Sequence, residues 1–184
     1  MTIRNAVQHE SYKTIVIDPP WPGPGGAPTF KRGGAKHWGV LPYSTMTGIQ
    51  LAALKLEQLA HAESQLWLWA TNRNIGDAFL LIQLWGYRYR GLFVWLKPVL
   101  GMGRHMRSQC EFLLWASRKG ARLVEPKECP RQIQQWPNPR AHSEKPAEAY
   151  EFIRGLSDPP RCDMFARQAR AGFDAWGNEA PENG

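Results

Sequence analysis

The sequence predicts one three-layer α/β domain spanning residues 1–184, with a largely parallel sheet. Three observations carry this expectation. Apolar, β-branched runs alternate with helix-like segments along the chain, the pattern of strands joined by crossover helices. The chain has 184 residues and 43% hydrophobic content, enough for one core that buries about 70% of the unfolded surface. The first strong strand also halts at two prolines and gives way to a Gly/Pro-rich loop, as strands do where an α/β sheet opens toward a ligand.

Taken in order, Thr14–Ile17 reads as a buried strand ended by Asp18-Pro19-Pro20, because prolines cannot donate ladder hydrogen bonds. The loop from Pro22 to about Pro42 is long enough to suggest a lid or binding loop. Thr47 and Gln50 have capping-box spacing, which predicts a helix through the leucine-rich stretch to Ala60. Gln65–Ala70 reads as a strand, and Asn74 caps a helix that runs to Trp85 and stops at Gly86. Leu92–Trp95 and Glu111–Trp115 are further strands around a basic loop from Lys97 to Ser108. Residues 126–141 are Pro-rich and read as irregular. Pro146 suits the first turn of a helix to Leu156, and short strands at Met164–Phe165 and Phe173–Trp176 follow.

Composition narrows the class of protein. Apolar runs fall short of the roughly 18 residues of a membrane span, and the amino terminus lacks the apolar stretch of a secretory signal. Cys110, Cys129 and Cys162 are odd in number and far apart, so the expectation is a reducing, cytoplasmic setting without a disulfide framework. The net charge of +7 is uneven: residues 97–145 carry ten Lys and Arg against four Asp and Glu. Lys31, Arg32 and Lys36 add charge to the loop after Pro22. Such charge fits either a solvated basic face or a phosphate-backbone footprint. Phosphate-binding GxxxxGK[ST], dinucleotide GxGxxG and hydrolase GxSxG strings are missing, and the histidines lack metal-ligand spacing. The expectation is therefore chemistry without a metal.

Asp18-Pro19-Pro20-Trp21 is what remains at the carboxyl end of the first strand. A carboxylate and a carbonyl held rigid by prolines are two acceptors at a fixed separation, with an aromatic face beside them. That constellation fits a planar base bearing an exocyclic amine: two hydrogen bonds take the two amine protons, and stacking holds the ring. The plain alternative is an aspartate-capped turn with a core tryptophan.

The strand-DPPW unit followed by Pro42-Tyr43-Ser44-Thr45-Met46 resembles the mRNA-adenosine-methyltransferase-like family of S-adenosylmethionine-dependent adenine-N6 methyltransferases. Trp95-Leu96-Lys97, Gly103 through Arg107 to Glu111, His142 to Pro146, Phe165-Ala166-Arg167 and Trp176 to Glu179 continue the resemblance in the family's order. It implies a Rossmann-like methyltransferase fold in permuted order, with Asp18, Pro19, Pro20 and Trp21 at the acceptor amine. It also implies a cofactor side of Asp18, Tyr43, Lys145, Arg167, Asn178 and Glu179, and an acceptor side of Lys97, Arg107 and Glu111. Ala169 and Arg170 depart from the pattern, standing where some relatives have polar cofactor ligands. Lys31, Arg32, Lys36, Arg104 and Arg107 would meet the phosphates beside the acceptor. The expected partner is nucleic acid, DNA before RNA because no added recognition module is visible, with the enzyme a monomer or homodimer. A catalytically silent nucleic-acid-binding subunit and an RNA methyltransferase stay open as alternatives.

Overall fold

The computed structural model describes residues 11–22, 44–101, 106–125, 129–139 and 144–176. Its elements are β1 (Tyr12–Ile17), α1 (Gly48–Ala52), β2 (Ala60–Ala70), α2 (Ile75–Leu84), β3 (Arg88–Leu96) and β4 (Cys110–Ser117), then β5 (Ile133–Gln134), α3 (Ala147–Leu156), β6 (Arg161–Met164) and β7 (Asp174–Trp176). The seven strands form one sheet in the order β5-β3-β4-β2-β1-β6-β7. β4 runs against β2 and β3, and every other neighbouring pair is parallel. The fold is the Rossmann-like α/β arrangement that the sequence implied.

Side-chain alternation along β1 builds two cores. Ile15 and Ile17 face one way and pack with Leu51 of α1 and Ala78, Leu81 and Ile82 of α2. Val16 faces the other way and packs with Ala149, Tyr150 and Ile153 of α3 and the indoles of Trp67 and Trp69. Helices therefore cover both faces, giving three layers.

Local chemistry explains the element ends. The capping box at Thr47 and Gln50 is present in both directions, but α1 stops at Ala52, short of the expected Ala60. Leu51 and Leu56 are both fully buried, yet positions five apart on a helix diverge by about 140°. The chain turns at 53–55 and forms a short 3₁₀ segment, Leu56–Gln58, so that both leucines reach the core. α2 ends as expected: Gly86 has φ +75, its N–H donates to Gln83, and the Tyr87 N–H donates to Ile82, a Schellman closure. Asn74 holds the N-cap position without a side-chain cap bond; its amide donates instead to Thr71 Oγ1 at 3.1 Å. The Pro-rich stretch read as irregular contributes β5, whose Ile133 and Gln134 pair with Val94 and Trp95.

This topology fixes where a ligand can sit. From β1 the chain moves outward to β2 on one side and returns through β6 on the other, so the order reverses between β1 and β6. In open α/β sheets, ligands bind outside the carboxyl ends of the strands at such a switch point. Asp18 follows β1 and Arg167 lies three residues beyond β6. Lys97 follows β3, which runs parallel to β1, and Glu111 lies at the start of antiparallel β4, so both stand at the same edge.

Candidate active site

Asp18 is the first residue released from β1, where Pro19 ends the ladder. Two backbone bonds set the turn: the Trp21 N–H donates to the Pro19 carbonyl at 2.7 Å, and the Met46 N–H to the Pro20 carbonyl at 2.8 Å. The second bond ties the 44–47 segment to the motif and occupies one of the two lone pairs on the Pro20 carbonyl. The Trp21 indole donates to the Trp69 carbonyl at 3.1 Å and is only 8% exposed. The expectation of an open stacking face at Trp21 is corrected accordingly. With its ring in the core and its N–H satisfied, this tryptophan props the motif.

A partly buried chain of alternating charges, with Lys145 its most buried member, runs from the sheet edge to Asp18. Lys97 Nζ donates to Glu111 Oε1 at 2.5 Å, and Lys145 Nζ lies 3.4 Å from Glu111 Oε2. Lys145 then donates to Asp18 Oδ2 at 2.8 Å. Two cations and two anions compensate one another, as buried charges must. Lys145 also lies 5.5 Å from the Trp69 ring centroid, and Lys97 4.6 Å from that of Trp95, so aromatic faces add to the cation binding.

The four groups respond differently to their surroundings. Burial opposes the Lys145 charge, but Asp18 and Glu111 outweigh it and hold its pKa above the ordinary lysine value. Burial likewise opposes ionisation of Glu111, yet Lys145 and Lys97 together hold its carboxyl below the usual range. At Asp18 burial prevails over the pull of Lys145 and pushes the carboxyl upward. Arg167 is near enough to act on Asp18 electrostatically, in the direction that favours the carboxylate. It follows Phe165, whose φ of +63 places strain in the turn after β6.

Lys145 was expected on the cofactor side, apart from the acceptor strand. The structure joins the two by the direct ion pair, because Lys145 immediately precedes the Pro146 that opens α3 at the same sheet edge. Glu111 and Lys97 share that network, while Arg107 is exposed beyond the start of β4. Lys31, Arg32, Lys36, Tyr43, Arg104, Asn178 and Glu179 lie outside the described residues.

Behind this network lies a cluster that sequence reasoning missed. Asp163 of β6 is 3% exposed and accepts a hydrogen bond from the Tyr150 hydroxyl at 3.1 Å. The Arg170 guanidinium stacks over the Tyr150 ring at 3.7 Å, and its Nε lies 3.8 Å from Asp163. Its Nη2 donates to the Lys145 carbonyl at 2.9 Å. Arg170 therefore holds the backbone of the residue that pairs with Asp18. Burial pushes the Asp163 carboxyl up to about 7 despite Tyr150 and Arg170. The visible signal was a charged residue between Cys162 and Met164 in a central strand, where a carboxylate needs partners.

Carboxylates and cations gathered at the switch point suit a ligand that carries both signs of charge. The chain is 30% identical over 196 residues to a type II methyltransferase, M.MunI, from a Mycoplasma species, covering 95% of this chain and 80% of that protein. It is also 30% identical over 190 residues to an N6-methyladenosine RNA methyltransferase, MTA1, from Pyricularia oryzae, covering 92% of this chain but 47% of the relative. The chain thus spans about half the length of the second protein. The MT-A70 family model matches residues 12–179, from the first residue of β1 to beyond β7. With nearly the whole fold and every described site residue inside that match, the chain belongs to the MT-A70 methyltransferase family.

Proposed function

We propose that this single domain transfers a methyl group from S-adenosylmethionine to the exocyclic N6 of adenine in nucleic acid, with DNA the favoured substrate. The observation that carries the reading is Asp18 at the switch point, held on Oδ2 by a buried lysine. Lys145 fixes the carboxylate rotamer, and we assign Oδ1 to one amine proton. The second lone pair of the Pro20 carbonyl takes the other.

An adenine amine is a poor nucleophile because its lone pair is delocalised into the ring. Acceptors on both protons favour a pyramidal nitrogen whose lone pair points away from them. Holding it in line with an electrophile can supply about 7–11 kcal/mol. The carboxylate also stabilises positive charge developing on nitrogen without serving as a strong base, and once the N–C bond has replaced the S–C bond the cationic nitrogen releases one proton to solvent. S-adenosylmethionine, when bound, supplies a methyl group activated by sulfonium. Asp18, Lys145 and Arg167 would hold it, together with Tyr43, Asn178 and Glu179 as the family resemblance implies. Lys97, Arg107 and Glu111 would line the acceptor side, with Lys31, Arg32, Lys36 and Arg104 toward the phosphates, and the protein would act as a monomer or homodimer.

The DNA reading is supported by the similarity to M.MunI, 80% of which is covered. The similarity to MTA1 favours RNA as the second reading. Radiolabelled methyl transfer to matched double-stranded DNA, single-stranded DNA and RNA oligonucleotides separates them, with N6-methyladenine identified by mass spectrometry. Cofactor binding without transfer to any of the three would instead indicate a silent subunit.

A further inference from the structure

Among the described residues the sheet ends on one side in β3 and β5, and this edge is basic throughout. Residues 87–97, which include β3, contain Arg88, Arg90 and Lys97 and no acidic residue; residues 129–139, which include β5, contain Arg131 and again no acid. Lys97 is paired with Glu111, but among the described residues no carboxylate pairs with Arg88, Arg90 or Arg131. A bulge after Tyr89 adds to the concentration of charge. It sets the Arg90 Nε on Ser117 Oγ at 2.8 Å, and Ser117 is the residue opposite Arg88. Two arginines without a carboxylate therefore share one end of the strand.

The rest of the edge carries donors. Gln132, Gln135 and Asn138 are exposed, as Arg131 is. Two bonds pin their segment to β3: the Val94 N–H donates to the Gln132 carbonyl at 2.9 Å, and the Trp95 indole to the Trp136 carbonyl at 3.0 Å. Guanidinium and amide side chains are the groups that contact phosphate and sugar oxygens. Charges that only guard an exposed sheet edge against pairing can have either sign, whereas all of these are positive. The course of the edge fits as well. β3 has nine residues and spans about 26 Å. Lys97, which follows it, is joined through Glu111 and Lys145 to Asp18, so the edge leads away from the acceptor site toward Arg88.

We propose that the β3–β5 edge is a track for the DNA backbone, with Arg131, Arg90 and Arg88 meeting phosphates progressively farther from the target adenine. At about 3.4 Å per base pair, the Arg88 end of the track lies about eight base pairs from the acceptor site. The inference rests on the reading that adenine in DNA is the acceptor.

The test uses two duplexes with the same central target, about 30 and about 10 base pairs long, of which only the longer reaches Arg88 and Arg90. In the combined variant Arg88→Gln, Arg90→Gln, affinity for the long duplex, read by fluorescence anisotropy, falls by about tenfold. The slope of log affinity against log salt flattens by about 0.9 for each lost contact. Affinity for the short duplex stays at the wild-type level. Arg131→Gln, at the middle of the edge, weakens binding of both duplexes. Arg88→Gln alone breaks no bond within the fold and flattens the slope by about half as much as the combined variant, which separates the lost charge from the lost Arg90–Ser117 bond. An unchanged slope on the long duplex overturns the track and leaves the arginines as guards of the edge. Equal weakening on both duplexes also overturns it, because net charge alone would have that effect. A wild-type dimer on light scattering that the combined variant dissociates overturns it in favour of a contact between protein chains. Wild-type protein that binds DNA with this length dependence but transfers no methyl group overturns the proposed function and not the track.

Discussion

Asp18 and Asp163 stand at the ends of adjacent parallel strands and on the same face of the sheet, since Val16, two residues before Asp18, pairs with Asp163. Both carboxyls are pushed upward by burial. Their partners differ. Asp18 receives an ammonium at 2.8 Å, whereas Asp163 receives a phenol at 3.1 Å and a guanidinium only at 3.8 Å. The comparison teaches how one sheet edge gives two carboxyls different partners, an ammonium at hydrogen-bond distance for one and a phenol with a more distant guanidinium for the other. An ion pair at hydrogen-bond distance favours the charged form strongly, while a neutral donor with a more distant cation leaves a buried acid near neutrality in its preference.

The largest expected effect breaks the comparison at Asp18. Asp18→Ala should lower methyl transfer by on the order of 10²–10³-fold, the scale for losing one electrostatic contact made at the reacting centre. Affinity for S-adenosylhomocysteine, measured by titration calorimetry, should change far less. Asp163→Asn should cost much less turnover than Asp18→Ala. Equal losses would show that the two carboxylates are not used differently.

Lys145→Met comes next. Removing one member of a buried ion pair typically costs about 3–5 kcal/mol, because the remaining charges lose their compensation. Urea unfolding should show that loss, and Asp18 and Glu111 should both become harder to ionise. The acidic limb of the pH–rate profile should then move to higher pH, with activity partly recovered in alkaline buffer. A profile that keeps its position while activity falls would mean that Lys145 does not set the ionisation of Asp18.

Asp163→Asn sharpens the comparison through stability. A carboxyl raised from 3.8 to about 7 stays protonated in the fold after the unfolded chain has released its proton. Folding then binds protons across that window, so this group's contribution to stability declines as pH rises and levels off above about 7. The decline approaches about 1.4 kcal/mol per pH unit. Asparagine keeps an acceptor for Tyr150 and abolishes the titration. The difference in unfolding free energy between variant and wild type should therefore move in the variant's favour from pH 5 to pH 8. A difference that does not change with pH would place the Asp163 pKa in the ordinary range.

The two carboxylates also differed in how easily the sequence disclosed them. Asp18 lies in a contiguous string whose prolines and tryptophan state its geometry locally. Asp163 depends on Tyr150 from the helix before it and Arg170 from the loop after it, an arrangement made only when α3 packs on β6. The pairing of Lys145 with Asp18 spans 127 residues and follows from topology, not spacing. The same logic explains the elements that escaped notice. Arg88 and Arg90 at the start of β3 are exposed, so no apolar alternation marks them as strand, and β5 is too short to carry a pattern. Conversely, buried runs such as Leu66–Ala70 and the glycine stop of α2 were legible because local chemistry alone determines them.

The smallest effect should come from Arg170, which links the two sides of the comparison. Its Nη2 holds the Lys145 carbonyl, its Nε faces Asp163, and its plane lies over Tyr150. Lysine at this position keeps the charge but loses the planar fork and its stacking. Arg170→Lys should cost about 1–2 kcal/mol of stability, the scale of a desolvated cation–π contact with a charge-assisted hydrogen bond. Any kinetic penalty must act through the placement of Lys145. Turnover should therefore fall by several fold with a changed pH profile, since Lys145 conditions Asp18. A double-mutant cycle separates the routes: coupling between Arg170→Lys and Lys145→Met in turnover should exceed coupling between Arg170→Lys and Asp163→Asn. If the larger coupling lies with Asp163, Arg170 serves the buried acid, and the carbonyl bond to Lys145 is incidental to catalysis.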